Sequence, residues 1–165
     1  MDLMLITSPV NALDKWMPFY YLYLGGYLEK HGFKVCVENP HFKTIEENNN
    51  YILNEVKKKK PKYIGFSSFC TDYDVVTDLA SKVRKITDAT ILAGNAQPSV
   101  SPQDYLYEGS PYDIVVRGEG ELTVKEILSS KNIKESLPNI DGVAYFDKNR
   151  VGSDGIKGSV VINKN

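Results

Sequence analysis

Apolar runs of strand length alternate along this chain with longer segments whose apolar residues recur at helical spacing, the rhythm of crossover units in a parallel sheet. Leu3 to Thr7 reads as a first strand and about Met17 to His31 as a helix, with Pro18 suited to its first turn and Gly32 placed to stop it. Phe33 to Val37 is a second strand. Thr44 to Lys60 is a helix whose first turn carries Glu46 and Glu47 and whose last turn carries lysines, an order that complements the helix dipole. Tyr63 to Phe69 reads as a strand buried on both faces, and Asp72 to Thr87 as a helix with Val75, Val76, Leu79, Ala80, Val83 and Ile86 along one side. A fourth strand spans Thr90 to Ala93, a turn Gly94 to Pro98, a short helix Pro102 to Glu108, a fifth strand Asp113 to Val116 and a last helix Glu121 to Ser129.

Beyond Pro138 the pattern changes to Gly142 to Phe146, a turn-rich Asp147 to Arg150, then Val151 and Ser159 to Ile162, which read as a hairpin or small meander. The fold class predicted is α/β, a doubly wound, Rossmann-like sheet of five parallel strands with a C-terminal β-hairpin or meander. Two units follow: an α/β domain over 1–130 and an appended hairpin and linker over 131–165. Ligands are expected at the carboxyl ends of the strands.

Composition narrows the functions open to such a sheet. With 20 Lys and Arg against 21 Asp and Glu, no bulk positive field draws the chain to nucleic acid or to an acidic membrane. The lysines before Pro61 read as a solvated helix end. Two cysteines, Cys36 and Cys70, with two histidines cannot hold an iron–sulfur cluster by themselves, and no metal ligand set is expected. The apolar start lacks the basic residues of a signal peptide, and no stretch approaches the roughly 18 to 20 apolar residues of a membrane span. A reduced, cytoplasmic protein is expected. Tyrosine, with eleven copies, is the compositional oddity; Tyr20, Tyr21, Tyr23 and Tyr27 crowd the first helix and are expected to form a docking face for another domain.

The candidate site lies in the loops that leave the strands: Ser8 and Pro9; Ser67, Ser68 and Thr71; Gly94, Asn95, Ala96 and Gln97; Gly118, Glu119 and Gly120. Small residues, hydroxyls and amides suit a bulky, hydrogen-bond-rich ligand better than acid–base catalysis, so no catalytic residue is expected. A phospho-acceptor domain needs acids at Ser8-Pro9 and at Phe69-Cys70, and has none there. A dinucleotide site needs a glycine-rich turn after the first strand, and the acids of Gly118-Glu119-Gly120 oppose a pyrophosphate. A nucleophile at Cys70 or Ser67 lacks a nearby base.

The run Ile91 to Pro102, followed by Tyr112-Asp113-Ile114-Val115-Val116-Arg117-Gly118-Glu119-Gly120-Glu121-Leu122-Thr123, resembles the cobalamin-binding domain that precedes the catalytic barrel in cobalamin-dependent radical SAM enzymes, a group that includes anaerobic magnesium-protoporphyrin monomethyl ester cyclases. The likeness extends through Pro18 to Val37, Ile64 to Ser68 and Gly142 to Tyr145. It implies cobalamin as cofactor, with the twelve loop residues above as its binding set. It also implies a radical SAM catalytic domain as partner, in cis or in trans, holding the iron–sulfur cluster and S-adenosylmethionine that this chain has no Cys-x-x-x-Cys-x-x-Cys motif to bind. Methyl transfer or radical cyclisation belongs to that parent, and the isolated chain is non-catalytic.

Two departures sharpen the expectation. Better-known cobalamin folds carry an Asp-x-His-x-x-Gly loop after the first strand; here Asp14-Lys15-Trp16 has no His, so a histidine-off form is expected, its lower cobalt face covered by groups from Ser8 to Trp16. Asn95 stands where the family tends to have a second glycine, and Gln97 where His is common. The competing expectation is a doubly wound interaction or sensor domain without cofactor.

Overall fold

The computed structural model describes residues 1–10, 18–152, 155 and 157–164. Strand β1 (Leu3–Ile6) sits between β2 (Val35–Glu38) and β3 (Tyr63–Ser67), and β4 (Thr90–Gly94), β5 (Ile114–Val116), β6 (Val143–Val151) and β7 (Lys157–Ile162) continue the sheet in that order. The first five strands are parallel; β6 pairs antiparallel with β5, and β7 with β6. The C-terminal hairpin therefore lengthens the one sheet to seven strands.

Alternation along the strands builds two apolar layers. Leu3, Leu5, Leu92, Ile114 and Val116 face helices α1 (Phe19–Lys30) and α5 (Gly120–Ser129), meeting Tyr21, Leu28, Val124 and Ile127. Met4, Ile6, Ile64, Phe66, Ile91 and Ala93 face α2 (Ile45–Lys59) and α3 (Tyr73–Arg84), meeting Ile52, Val56, Val76, Leu79 and Val83. Leu137, Ile140 and Val143 join the first layer, so the segment after α5 shares its core. The chain leaves β1 for opposite edges of the sheet, and this reversal opens a crevice at the carboxyl ends of the strands.

Helix α2 follows its sequence signals closely. Thr44 accepts from Glu47 N at 3.1 Å and Glu47 Oε2 accepts from Thr44 N at 3.0 Å, a reciprocal cap, and Lys60 ends the helix at φ 46°. Three local expectations are corrected. The Gly94 to Pro98 turn is instead the start of a one-turn helix, α4 (Ala96–Val100), capped by Asn95; Pro98 falls in its first turn, where no N–H is needed. The helix expected over Pro102 to Glu108 shrinks to a 3-10 turn at Pro102–Asp104, because Tyr105 and Leu106 turn into the core. Asp147 to Arg150 makes no turn: β6 runs through it with a register shift, and Asp147 Oδ1 accepts from Asn149 N at 2.9 Å.

Candidate functional site

Over the ends of β1, β3, β4 and β5, between α1 and the start of α5, a cleft of about 810 Å³ opens, within the roughly 300–1,000 Å³ typical of small-molecule sites. Its floor is the apolar sheet face, Leu3, Leu5, Gly65, Leu92 and Val116. One wall is aromatic, with Phe19, Tyr20, Tyr21 and Tyr23 from α1. The other is built from the loops after β4 and β5.

Seven of the twelve expected site residues come together in this lining: Ser67, Gly94, Asn95, Ala96, Gly118, Glu119 and Gly120. The period of two along a strand explains one divergence. Ser67 shares its face with Gly65 and opens on the cleft, whereas Ser68 points to the α2 and α3 side, fully buried, donating to Asp72 Oδ1 at 3.3 Å and accepting from the Tyr105 hydroxyl at 2.8 Å. Ser8 and Pro9 are buried at the end of β1, where Ser8 Oγ accepts from Val10 N at 3.3 Å; Thr71 is exposed; Gln97 is half-buried on α4; none of these lines the cleft. The expected loop Asp14-Lys15-Trp16 lies outside the described residues.

The α1 tyrosines were expected to form a docking face. Tyr20, Tyr21 and Tyr23 line the cleft, Tyr20 and Tyr23 remaining exposed, while Tyr27 packs on His31 with ring centroids 4.4 Å apart. Tyr21 is anchored by its hydroxyl, which donates to Ile6 O at 3.2 Å and Gly65 O at 3.3 Å. Burial raises the phenol pKa values of Tyr20 and Tyr21, and the nearby Ser67 hydroxyl works against that rise. The floor residues were visible in the sequence only as strand core; their role emerges from the gap that the two helices leave.

A hydrogen-bond chain ties the loops together. Gly118 N donates to Ser99 Oγ at 3.2 Å, Ser99 Oγ donates to Asn95 O at 2.7 Å, and Asn95 Nδ2 donates to Ser67 Oγ at 2.8 Å. Asn95 holds φ 90° and ψ −168°, a conformation that normally selects glycine. Glu119 starts α5 without capping it through its side chain, and its carboxylate is exposed. Among the described lining residues the charged groups are Glu119 and Glu121, both acidic, so a bis-phosphate ligand finds no cation there. His31 and His41 lie outside the lining; His31 Nδ1 donates to Tyr27 O at 2.8 Å at the far end of α1. Among the described residues no group of three or more His, Cys, Asp or Glu is placed to hold a metal ion, and no helix is long and apolar enough to cross a membrane.

These features meet known proteins at one point. The family model described as B12 binding domain matches residues 10–128. The anaerobic magnesium-protoporphyrin IX monomethyl ester cyclase of Synechocystis is 27% identical over 154 residues, 88% of this chain and 30% of that enzyme. An uncharacterized methyltransferase of Pyrococcus horikoshii is 29% identical over 105 residues, 62% of this chain and 23% of that protein. The chain thus spans less than a third of the curated relatives it matches. Among solved structures, the radical S-adenosylmethionine methyltransferase TsrM of Kitasatospora setae shares the fold at a TM-score of 0.74 and 22% identity, over 99% of this chain and 30% of that one. The cobalamin-dependent S-adenosylmethionine radical enzyme OxsB, solved with aqua-cobalamin and S-adenosylmethionine bound, does so at 0.71 and 21%, over 99% of this chain and 22% of that one.

Proposed function

The chain belongs to the B12-binding domain family, and from that membership we propose that it holds cobalamin over the ends of its parallel strands, without a histidine on cobalt, for a radical SAM catalytic domain. The observation that carries this reading is the cleft of about 810 Å³ between aromatic α1 and the segments that follow β4 and β5, Asn95 and Ala96 on one and Gly118 to Gly120 on the other. Its residues fit the nucleotide tail of such a cofactor. The floor is apolar enough to bury an aromatic base, and a Cβ added at Gly94 would meet only Val116 O, at 3.8 Å, so space at the mouth is open.

In this reading Phe19, Tyr20 and Tyr23 exclude water from one side of the tail, and the Gly118 to Gly120 backbone allows close approach on the other. Ser67 and Asn95 supply polar contacts within the apolar lining. Of the other expected residues, Ser68 acts on the β3 loop from behind, and Ser8, Pro9, Thr71 and Gln97 contribute at the periphery. When bound, the cofactor supplies a cobalt centre able to carry a methyl group or an electron. The chain orients that group and shields it. Chemistry on the substrate, whether methyl transfer or radical cyclisation, falls to the catalytic domain with its iron–sulfur cluster and S-adenosylmethionine, joined in cis through residues 131–165 or acting in trans. As working location we take the cytoplasm, which the unpaired Cys36 and Cys70 suit.

The test is to incubate the chain with hydroxocobalamin, gel-filter it and read the visible spectrum. Stoichiometric corrin retained with the protein is expected; a colourless protein fraction overturns the reading in favour of a cofactor-free interaction domain. The electron spin resonance spectrum of the reduced complex is expected to lack coupling to a protein nitrogen, and such coupling would overturn the histidine-off form.

A further inference from the structure

Beside the cleft rim, one side chain joins two parts of the chain that lie far apart in sequence. Arg117, between β5 and Gly118, is half-buried and outside the cleft lining. Its Nε donates to Ser99 O on α4 at 3.4 Å, and its Nη1 donates to Asn163 O, just beyond β7, at 3.1 Å. Asn163 is itself held firmly: its N–H donates to Val143 O at 2.9 Å, and its Nδ2 donates to Leu137 O at 2.7 Å and to Ile140 O at 2.6 Å. The α4 end of the clamp is the less secure one. Five residues do not hold a helix by themselves, so α4 keeps its shape through bonds to its neighbours. Ser99 carries two of these besides its bond to Arg117, accepting from Gly118 N and donating to Asn95 O. Asn95, Ala96, Ser99 and Val100 line the cleft, so a ligand seated there restrains the turn whose carbonyl Arg117 holds.

We propose that Arg117 is a positioning residue that couples the cleft to the end of β7: a ligand that orders α4 tightens the Arg117 clamp on Asn163, and whatever fastens Asn163 orders α4 and raises affinity in the cleft. The coupling acts equally in both directions, as linkage between two sites requires, and it is carried by ordering rather than by a change of shape. It rests on the reading of the cleft as the cobalamin site. A catalytic domain that packs on the end of β7 thereby strengthens the hold on the cofactor without touching it.

Visible-spectrum titrations with hydroxocobalamin and residue-resolved hydrogen exchange test the coupling in the intact chain. Arg117→Met keeps an unbranched stem and removes the donors; Asn163→Ala removes two bonds at a residue outside the cleft lining. Asn163→Ala is expected to weaken hydroxocobalamin binding about fivefold in the parent chain and by less than about twofold in an Arg117→Met background, because its effect passes through Arg117. No loss in the parent chain, or equal losses in the two backgrounds as separate structural roles would give, overturns the proposal. Exchange needs no Asn163 variant. Saturating hydroxocobalamin is expected to slow the Asn163 amide at least about fivefold in the parent chain and less than about twofold in Arg117→Met. An Asn163 amide that does not respond to the cofactor, or responds equally in Arg117→Met, overturns the proposal. Failure of the parent chain to retain hydroxocobalamin instead overturns the cofactor reading itself, and this inference with it.

Discussion

The Tyr105 hydroxyl donates to Ser68 Oγ at 2.8 Å, which joins the segment after the Pro102–Asp104 turn to the end of β3. Ser68 passes the contact to Asp72, whose Oδ1 also accepts from Phe69 N at 2.7 Å. A buried carboxylate thus shapes the loop from Ser68 to Thr71, and Phe69 of that loop lines the cleft. Asp72→Ala leaves a backbone N–H and a hydroxyl without their acceptor, so a loss of about 2–3 kcal/mol is expected in chemical denaturation. Tyr105→Phe removes one donor and keeps the ring, and is expected to cost about 1 kcal/mol.

The buried phenols make stability sensitive to alkali. Burial is the first cause that pushes the Tyr105 phenol up to about 12, and burial likewise raises Tyr20, Tyr21 and Tyr112. A folded-state pKa above the unfolded value of 10.0 means that the folded protein keeps its proton longer. The stabilisation is complete below pH 10 and declines as pH rises, for Tyr105 between about 10 and about 12. Denaturation midpoints should fall steadily from pH 10 upward, with a shallower slope in Tyr105→Phe. A flat profile to pH 11.5 would contradict this.

Asn95 separates strain from hydrogen bonding. Asn95→Ala keeps the positive φ and loses both side-chain bonds, to Ser67 Oγ and from Ala96 N; Asn95→Gly loses the same bonds and relieves the backbone. The glycine variant is therefore expected to be more stable than the alanine variant by about 1–3 kcal/mol. Equal unfolding free energies would mean that the loop relaxes out of this conformation.

At the sheet edge, Lys59 contacts both Glu38, on β2, and Glu55. Burial lowers the Lys59 pKa, but its bonds to the two carboxylates more than reverse this and raise it. Glu38 is only 5% exposed, so removing the cation strands a carboxylate in the interior. Lys59→Met is expected to cost about 2 kcal/mol, below a fully buried pair because the lysine side chain is 27% exposed. Adding Glu38→Gln should recover most of that loss.

How far these features were legible follows from the physics of each. Glu46, Glu47 and the lysines before Pro61 announce α2 because charge order along a helix is local chemistry, whereas the reciprocal Thr44–Glu47 cap is seen only in the structure. The strands were visible because β1, β3 and β4 are covered on both faces and read as continuous apolar runs. Ser67 and Ser68 looked equivalent as a strand-end pair; only the pleat sends one to the cleft and the other to Asp72. The left-handed conformation of Asn95 has no sequence mark except the family's glycine at that place. The aromatic wall was legible as a cluster but not as a cleft lining, because tyrosine suits a docking face and a ligand wall equally and only the fold places α1 over the strand ends.

Gly94 offers a test of the cleft that leaves the fold intact. It ends β4, pairs with Ser67 of β3, and its face is the cleft face shared with Leu92. An added Cβ finds only Val116 O, at 3.8 Å, an ordinary contact, and its φ is not in the left-handed region. A β-branched residue there suits the strand and projects into the space proposed for the nucleotide tail. Gly94→Val is expected to keep the denaturation midpoint of the parent chain and to weaken hydroxocobalamin binding at least about tenfold, the scale of overpacking by an isopropyl group. Cobinamide, with no tail to insert, should bind the variant and the parent chain alike. If cobalamin binds Gly94→Val as well as the parent chain, the tail does not occupy this cleft.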